Sequence, residues 1–194
     1  MSNNNNWIQT YTGRQFFPAN PSIEDIDIRD IAVSLSRQNR YTGHTKKPYS
    51  VAQHCVIMSQ EINPKFAKEA LLHDAAEAYI SDISSPVRQY LPVLDVMEER
   101  ILEAIVEKFR LDFPFRADIW VADLRMVATE KRDLMGPCHA DWNLTVKPYS
   151  KVIIPVGPNN AEEMFMQRFE ELFGSAEHYY YRDYLLERYL GISS

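Results

Sequence analysis

Ligand-type side chains occur in three helix-like stretches of the sequence, each time on the face that the hydrophobic period assigns to the core. In LLHDAAEAYISD, His73, Asp74 and Glu77 fall in rows of apolar residues spaced three and four apart. In PYSVAQHCVIMSQEI and ADIWVADLRMVATEKRDLMG, His54 and Asp123 hold the same kind of position. Helical spacing therefore directs imidazole and carboxylate groups from three segments toward one interior.

Burial of these groups limits the chemistry they can do. A buried carboxylate is costly unless it is paired, protonated or bound to a metal. Two imidazoles and two carboxylates, from His54, His73, Asp74 and Asp123, suit one divalent ion. Such a set leaves two positions of an octahedral shell open to water and to a substrate oxygen, as metal-assisted hydrolysis of a phosphoryl group requires. It does not distinguish among Co, Mn, Fe, Ni and Zn.

Each of these residues also has an ordinary structural explanation. A single inward histidine such as His54 is commonly a hydrogen-bonded core residue. Asp123 alone could form an ion pair with Arg125 or Arg132, and Glu77 could be the solvated end of its apolar row. What favours a metal site is the occurrence of such groups on three helices at once.

The elements that must position these groups are helices. The helical period begins at Asp27, and further helix ends are signalled by capping residues, by prolines in first turns and by a terminal glycine, namely at Ser50 with Gln53, Asn63–Pro64, Ser85–Pro86 and Gly136. Two more helices are predicted in NNAEEMFMQRFEELFG and SAEHYYYRDYLLERYLG. The first twenty residues predict an arm or hairpin, and a long loop from about 136 to 159 contains the strand-like stretch SKVIIPVGP.

Composition sets the class of protein. With 194 residues, 45% of them hydrophobic, and no repeat or linker, the chain is predicted to be a single domain spanning 1–194. A net charge of -6 argues against binding to nucleic acid. No apolar run is long enough for a membrane span, and Cys55 and Cys138 have no disulfide or zinc spacing. We expect a cytoplasmic location, that of the host if the chain is phage-encoded.

The last predicted helix bears on oligomeric state. Its tyrosines are too many for one core stripe, so we expect some to meet another subunit of a homo-oligomer. The alternative is a helix that caps the bundle with its hydroxyls at the wet edge. The residues concerned are Tyr179, Tyr180, Tyr181, Tyr184 and Tyr189.

The ordered set YSVAQH, LLHDAAEAYISDISSPVR and WVADLRMV resembles the HD-domain metal-dependent phosphohydrolases. The likeness is to the small branch that contains the bacterial 5'-deoxynucleotidases and the phage dATP triphosphohydrolases, and it covers roughly residues 28–135. It implies an all-α HD-domain helical bundle, to which this chain adds a short N-terminal arm or hairpin and extra C-terminal helices.

The resemblance also implies roles for individual residues. The metal ligands of the family match His54, His73, Asp74 and Asp123. Its acidic catalytic pair matches Glu77, three residues after the Asp of the HD dyad, and Asp82 in the SDISSPVR turn.

Substrate contacts are implied at several basic positions. Arg88 falls where the family has a basic residue after Pro-Val. In NRYTGH, Arg40 and Tyr41 are similar to an Arg-Trp element that meets the substrate phosphate and the sugar or base, with Tyr in place of Trp. His44, Lys46 and Lys47 extend this set to a local basic patch, for which the alternative is a solvated loop.

The expected function is therefore a metal-dependent phosphohydrolase of 2'-deoxynucleotides. The number of basic residues favours a triphosphate, and dATP with release of triphosphate is the specific expectation; Mg²⁺ can accompany the substrate phosphates. The rival is a 5'-nucleotidase acting on deoxynucleoside monophosphates. An alternative of another class is a non-catalytic helical binding module stabilised by its metal.

Overall fold

The hydrophobic period of the sequence is realised as a bundle of α-helices with one small hairpin at its edge. The computed structural model of the chain describes residues 6–175. In chain order its elements are β1 (Ile8–Gln9), β2 (Gln15–Phe16), α1 (Ile28–Arg37), α2 (Val51–Glu61), α3 (Ala67–Leu72), α4 (Glu77–Ile80), α5 (Ser85–Arg88), α6 (Pro92–Phe109), α7 (Ala117–Leu134) and α8 (Pro158–Phe173). Short 3-10 turns lie at Ile23–Asp25, Arg40–Gly43 and Pro64–Phe66. The predicted all-α bundle is confirmed.

The N-terminal hairpin is anchored by one aromatic residue. β1 and β2 are antiparallel, with Ile8 opposite Phe16. The Phe16 ring is fully buried and stacks on Tyr79 of α4, with 3.9 Å between the ring centroids. The predicted arm or hairpin is therefore a hairpin, and it covers the back of the helix that begins with Glu77.

Helix α2 lies at the centre of the bundle, between α1, α3, α7 and α8. Ser50 caps its first turn by accepting a hydrogen bond from the Gln53 N–H at 3.2 Å, as predicted. The side chain of Gln53 does not complete the capping box, because it is buried against the segment around Ile154 and hydrogen bonds there instead. Burial on every side makes α2 a rigid carrier for His54.

The helix expected over residues 64–80 is interrupted at the residues of interest. α-Helical hydrogen bonding ends with α3 at Leu72, and the chain then continues through His73 and Asp74 with bonds between residues three apart, such as Glu77 N–H to the Asp74 carbonyl at 3.0 Å. Tightening of this kind inside a helix is typical of functional segments. It turns two consecutive polar side chains toward α2 and α7.

The long helix predicted after Ser85 is also divided, into the two helices α5 and α6. Ser84 rather than Ser85 precedes the short helix α5, and the long helix α6 begins separately at Pro92. A proline lacks the backbone N–H that a helix interior needs, so Pro92 fits a first turn and not the middle of a continuous helix.

The strand-like stretch SKVIIPVGP forms no strand and no ladder with any described segment. Side chains replace a partner strand: the Ile153 N–H donates to Asp133, and the Val156 N–H donates to Gln53. Among residues 6–175 no helix has the length and apolar character needed to cross a bilayer. The last helix predicted from the sequence, with its tyrosines and the subunit contact expected from them, lies outside the described residues.

Candidate metal centre

Three elements bring the four predicted ligands to one point. α2 carries His54, the tight turn after α3 carries His73 and Asp74, and α7 carries Asp123. The His54 Nε2 lies 3.2 Å from Asp123 Oδ1 and 3.7 Å from Asp74 Oδ2. The His73 Nε2 lies 3.1 Å from Asp74 Oδ1, and the two imidazole centroids are 5.3 Å apart. Residues separated by up to 69 positions in the chain therefore share one small volume.

The polar atoms of this group fit a divalent cation. Ligand atoms of His54, His73 and Asp123 all lie within 4.8 Å of one another. Within residues 6–175, the Nε2 atoms of both histidines and Asp123 Oδ1 are buried without a well-aligned hydrogen-bond partner. Buried polar atoms in this condition require an explanation, and a shared cation satisfies all three. Asp74, whose side chain is 19% exposed, opens the group toward solvent.

The other nitrogen of each imidazole fixes the direction of the ring. His54 Nδ1 donates to Glu130 Oε1 at 2.6 Å, and His73 Nδ1 donates to the Ala70 carbonyl at 2.9 Å. Both partners are acceptors, so each Nδ1 carries a proton, and in the neutral imidazole that binds a metal the Nε2 lone pair faces the shared volume. Carboxylate and carbonyl partners of this kind are typical of histidines that bind metals.

Glu130 also holds the segment that carries the predicted substrate contacts. Its Oε2 accepts from Tyr41 Oη at 2.5 Å and from Arg40 Nε at 3.3 Å. The Arg40 guanidinium reaches Asp74 at 3.3 Å and Asp123 at 3.9 Å. Arg40 is thus the predicted cation that lies directly against the ligand carboxylates.

The backbone after Arg40 is strained. Tyr41 (φ 56°, ψ 32°), Thr42 (φ 52°, ψ 29°) and Gly43 (φ 78°) form a left-handed turn. For a residue with a side chain this conformation costs about 1–2 kcal/mol. The hydrogen bond from Tyr41 to Glu130 helps hold it, so the same carboxylate orients His54 and this turn.

Charge coupling is strong at the centre. Burial and the Arg40 guanidinium disfavour a charged imidazole, yet the carboxylates of Glu130 and Asp123 raise the pKa of His54 to about 9. Burial likewise opposes the charged form of Asp123, but His54 and Arg40 hold the pKa of that carboxyl well below its usual range. Without a cation the carboxylates are balanced by a proton on His54, and a bound divalent ion would take the place of that proton.

The predicted acid pair lies beside this group. Glu77 begins α4 and is 9% exposed; burial first, then the Asp74 and Asp82 carboxylates, raise its pKa well above the usual range. Burial also raises the pKa of Asp82, while Arg40 opposes that shift. Between the two acids, Ser81 adopts φ 75° and ψ 153°, a conformation that is costly for any residue except glycine.

Among residues 6–175, the other predicted cations form no ion pair with a ligand carboxylate. Arg88 is in electrostatic reach of Glu77, but its guanidinium pairs with Asp95 at 2.7 Å and with Glu98. His44, Lys46 and Lys47 are exposed to solvent. The alternative partners of Asp123 are engaged elsewhere, because Arg125 and Arg132 donate to backbone carbonyls of the loop around residues 147–151.

Three neighbours of the site were assigned no role from the sequence. Glu130 was predicted only to face inward, since it follows Asp123 by seven residues on the same face of α7. Trp142 packs against Tyr41 with 5.8 Å between ring centroids, and no local pattern predicts that contact. Cys55 lies within ligand distance of His73 and Asp74, but burial and the nearby carboxylates raise the pKa of its thiol, which disfavours the thiolate that a metal needs.

The chain is similar in sequence to known proteins over most of its length. No family model matches the chain. It is 43% identical over 169 residues to the uncharacterized protein YfdR of Escherichia coli, an alignment that covers 86% of this chain and 95% of that protein. The chain belongs to the YfdR family. It is also 29% identical over 149 residues to an uncharacterized protein of Rhodobacter capsulatus, covering 70% of this chain and 76% of that protein. The YfdR alignment is long enough to include most of the helices that carry the ligands.

Proposed function

We propose that this member of the YfdR family is an HD-domain metal-dependent phosphohydrolase that acts on 2'-deoxynucleotides. The observation that carries the proposal is the convergence of buried ligand atoms of His54, His73 and Asp123, all within 4.8 Å of one another and without a well-aligned hydrogen bond. The Nδ1 atom of each histidine donates to an acceptor that orients the ring, and two carboxyls lie alongside, of which Glu77 is buried and Asp82 half-buried. A purely structural ion would account for the ligands but would not require Glu77 and Asp82 next to them.

The chain's own residues divide the chemistry. A divalent ion, when bound, supplies a Lewis acid for a phosphoryl oxygen and makes water more acidic. Glu77 would orient and deprotonate the attacking water. Asp82, with a raised pKa of its own, assists proton transfer to the leaving oxygen. Arg40 stabilises the charge that develops on phosphate.

The specific substrate proposed is a deoxynucleoside triphosphate, with dATP first, cleaved to release triphosphate. The resemblance and the number of basic residues support it: Arg40, His44, Lys46, Lys47 and Arg88 lie on the segments around the ligands. One observation favours the rival 5'-nucleotidase, since Arg40 is the predicted cation that contacts the ligand carboxylates while Arg88 is paired with acids of α6. A monophosphate needs fewer cations than a triphosphate.

Analysis of the released group separates these possibilities. The full chain, loaded in turn with Mn²⁺, Co²⁺, Ni²⁺ or Zn²⁺, is incubated with dAMP, dATP, dGTP and ATP, and the products are resolved by ion chromatography. Triphosphate from dATP supports the proposal, and phosphate from dAMP alone supports the rival. If the protein binds one metal ion per chain but releases neither phosphate nor triphosphate from any nucleotide, the result supports the non-catalytic, metal-stabilised binding module. Asp74→Ala serves as the metal-free control.

A further inference from the structure

Gln38, the residue that directly follows α1, hydrogen bonds with both ends of the segment from Glu77 to Asp82, the two predicted acids. Its Nε2 donates to the backbone carbonyl of Glu77 at 3.0 Å. Its Oε1 accepts the backbone N–H of Asp82 at 2.9 Å. One half-buried amide therefore spans residues 77 to 82 from outside that segment.

The segment that Gln38 spans has little regular structure of its own. α4 is one turn long, and the chain leaves it through Ser81 in a strained conformation (φ 75°, ψ 153°). Such a backbone persists only where surrounding contacts determine it. The Ser81 N–H donates to the same Glu77 carbonyl at 2.8 Å, so that carbonyl receives a bond from inside and a bond from outside the segment.

Gln38 is itself held from two sides. Its Nε2 also donates to Ser34 Oγ at 2.9 Å, and Ser34 donates to the Ala78 carbonyl at 2.8 Å. The backbone carbonyl of Gln38 accepts from the Val51 N–H at 3.1 Å, at the start of the helix that carries His54. Gln38 is thus a rigid link between the His54 helix and the turn that carries Glu77 and Asp82.

We propose that Gln38 is a positioning residue that fixes the separation of Glu77 and Asp82 and their placement relative to the metal ligands. It acts through the backbone, since each of its contacts with residues 77–82 is a main-chain atom. The inference rests on the proposed hydrolase function, in which both acids must meet one phosphoryl group. Displacement of such groups by about 1 Å can lower turnover about 10²-fold.

The test compares two substitutions in the full chain. Gln38→Leu removes all three side-chain hydrogen bonds at similar size. Gln38→Glu keeps an acceptor for the Asp82 N–H and loses the donor to the Glu77 carbonyl, and it serves if the leucine variant does not fold. For whichever of dATP and dAMP the wild type hydrolyses, we expect kcat to fall about 10²-fold in Gln38→Leu and by less in Gln38→Glu. KM and bound Mn²⁺ should stay at wild-type levels.

Gln53 offers a matched control. Its amide makes the same pair of backbone bonds, to the Ile154 carbonyl at 2.8 Å and from the Val156 N–H at 3.0 Å, in a different part of the chain. Gln53→Leu should lower the melting temperature as Gln38→Leu does and leave kcat unchanged. Wild-type kcat in both Gln38 variants, or an equal loss of kcat in Gln53→Leu, would overturn the proposal. A wild-type protein that hydrolyses no nucleotide would instead overturn the proposed function and this inference with it.

Discussion

Glu130 Oε1 lies 2.6 Å from the Nδ1 atom of His54, and both side chains are completely buried. The carboxylate lies 76 positions further along the chain, on α7, and reaches the imidazole from the side opposite the ligand atoms. Its second oxygen accepts from Arg40 and Tyr41. One side chain therefore couples the orientation of a metal ligand to the turn that carries the predicted phosphate contact.

The first prediction follows from this relationship. Glu130→Gln keeps an acceptor for His54 but removes the negative charge, so the Nε2 lone pair becomes a weaker ligand. We expect affinity for Mn²⁺ or Zn²⁺ to fall about 10- to 100-fold, as measured by isothermal titration calorimetry. Glu103→Gln, an exposed substitution on α6, is the control. Wild-type affinity in Glu130→Gln would show that Glu130 does not support the ligand.

Stability of the metal-free protein should depend on pH through His54. The folded-state pKa of His54, about 9, lies above its ordinary value of 6.5, so protonation contributes stability that is fully present below pH 6.5. That contribution is lost as pH rises from 6.5 toward 9. Chelator-treated protein should therefore melt at progressively lower temperature over this range, and Glu130→Gln should reduce the slope. A melting temperature independent of pH across this interval would contradict the assigned charge coupling.

Part of the metal centre could be predicted from the sequence, and part could not. Hydrophobic period was enough to predict that His54, His73, Asp74 and Asp123 turn toward one shared volume, in which the histidines are buried and the aspartates half-buried. It could not predict the tightening of the backbone after Leu72, which depends on hydrogen-bond register inside a segment that is helical by composition.

Contacts between residues that are far apart in the chain could not be predicted from the sequence either. Glu130 shares a face of α7 with Asp123. Hydrophobic period alone does not show whether its carboxylate binds the metal ion itself or hydrogen bonds with a histidine that binds the ion. The stretch around Ile153 has the residue types of a strand, yet it forms none, and its backbone N–H groups donate to the side chains of Gln53 and Asp133. Only the tertiary structure distinguishes these outcomes.

Substitution of Glu77 should separate catalysis from metal binding. Because burial and the neighbouring carboxylates raise the pKa of this carboxyl, glutamine is close to its protonated form in shape and charge. We expect Glu77→Gln to keep the bound metal and the melting temperature while kcat falls about 10²- to 10⁴-fold. Glu69→Gln, half-buried on α3, is the matched control. Undiminished turnover would remove Glu77 from its proposed role.

Tyr41→Phe tests the strained turn. The substitution keeps the ring beside Trp142 and removes the hydroxyl that donates to Glu130. A hydrogen bond to a charged group contributes about 1.5–3 kcal/mol, so the free energy of unfolding in urea should fall by about that amount. Tyr11→Phe, at a residue that is 64% exposed, should leave it unchanged. Equal stability of the two variants would mean that the hydroxyl does not hold the turn.

The central claim, that four side chains from three elements bind one divalent ion, is tested most directly by metal content. Wild-type protein and the variants Asp74→Ala, Asp123→Ala and Asp118→Ala are incubated with Mn²⁺, desalted and measured by atomic emission. We predict one ion per chain in the wild type and in Asp118→Ala, an exposed position on the same helix as Asp123, and none in the other two. Equal metal in Asp123→Ala and wild type, or no metal in the wild type, would contradict the account.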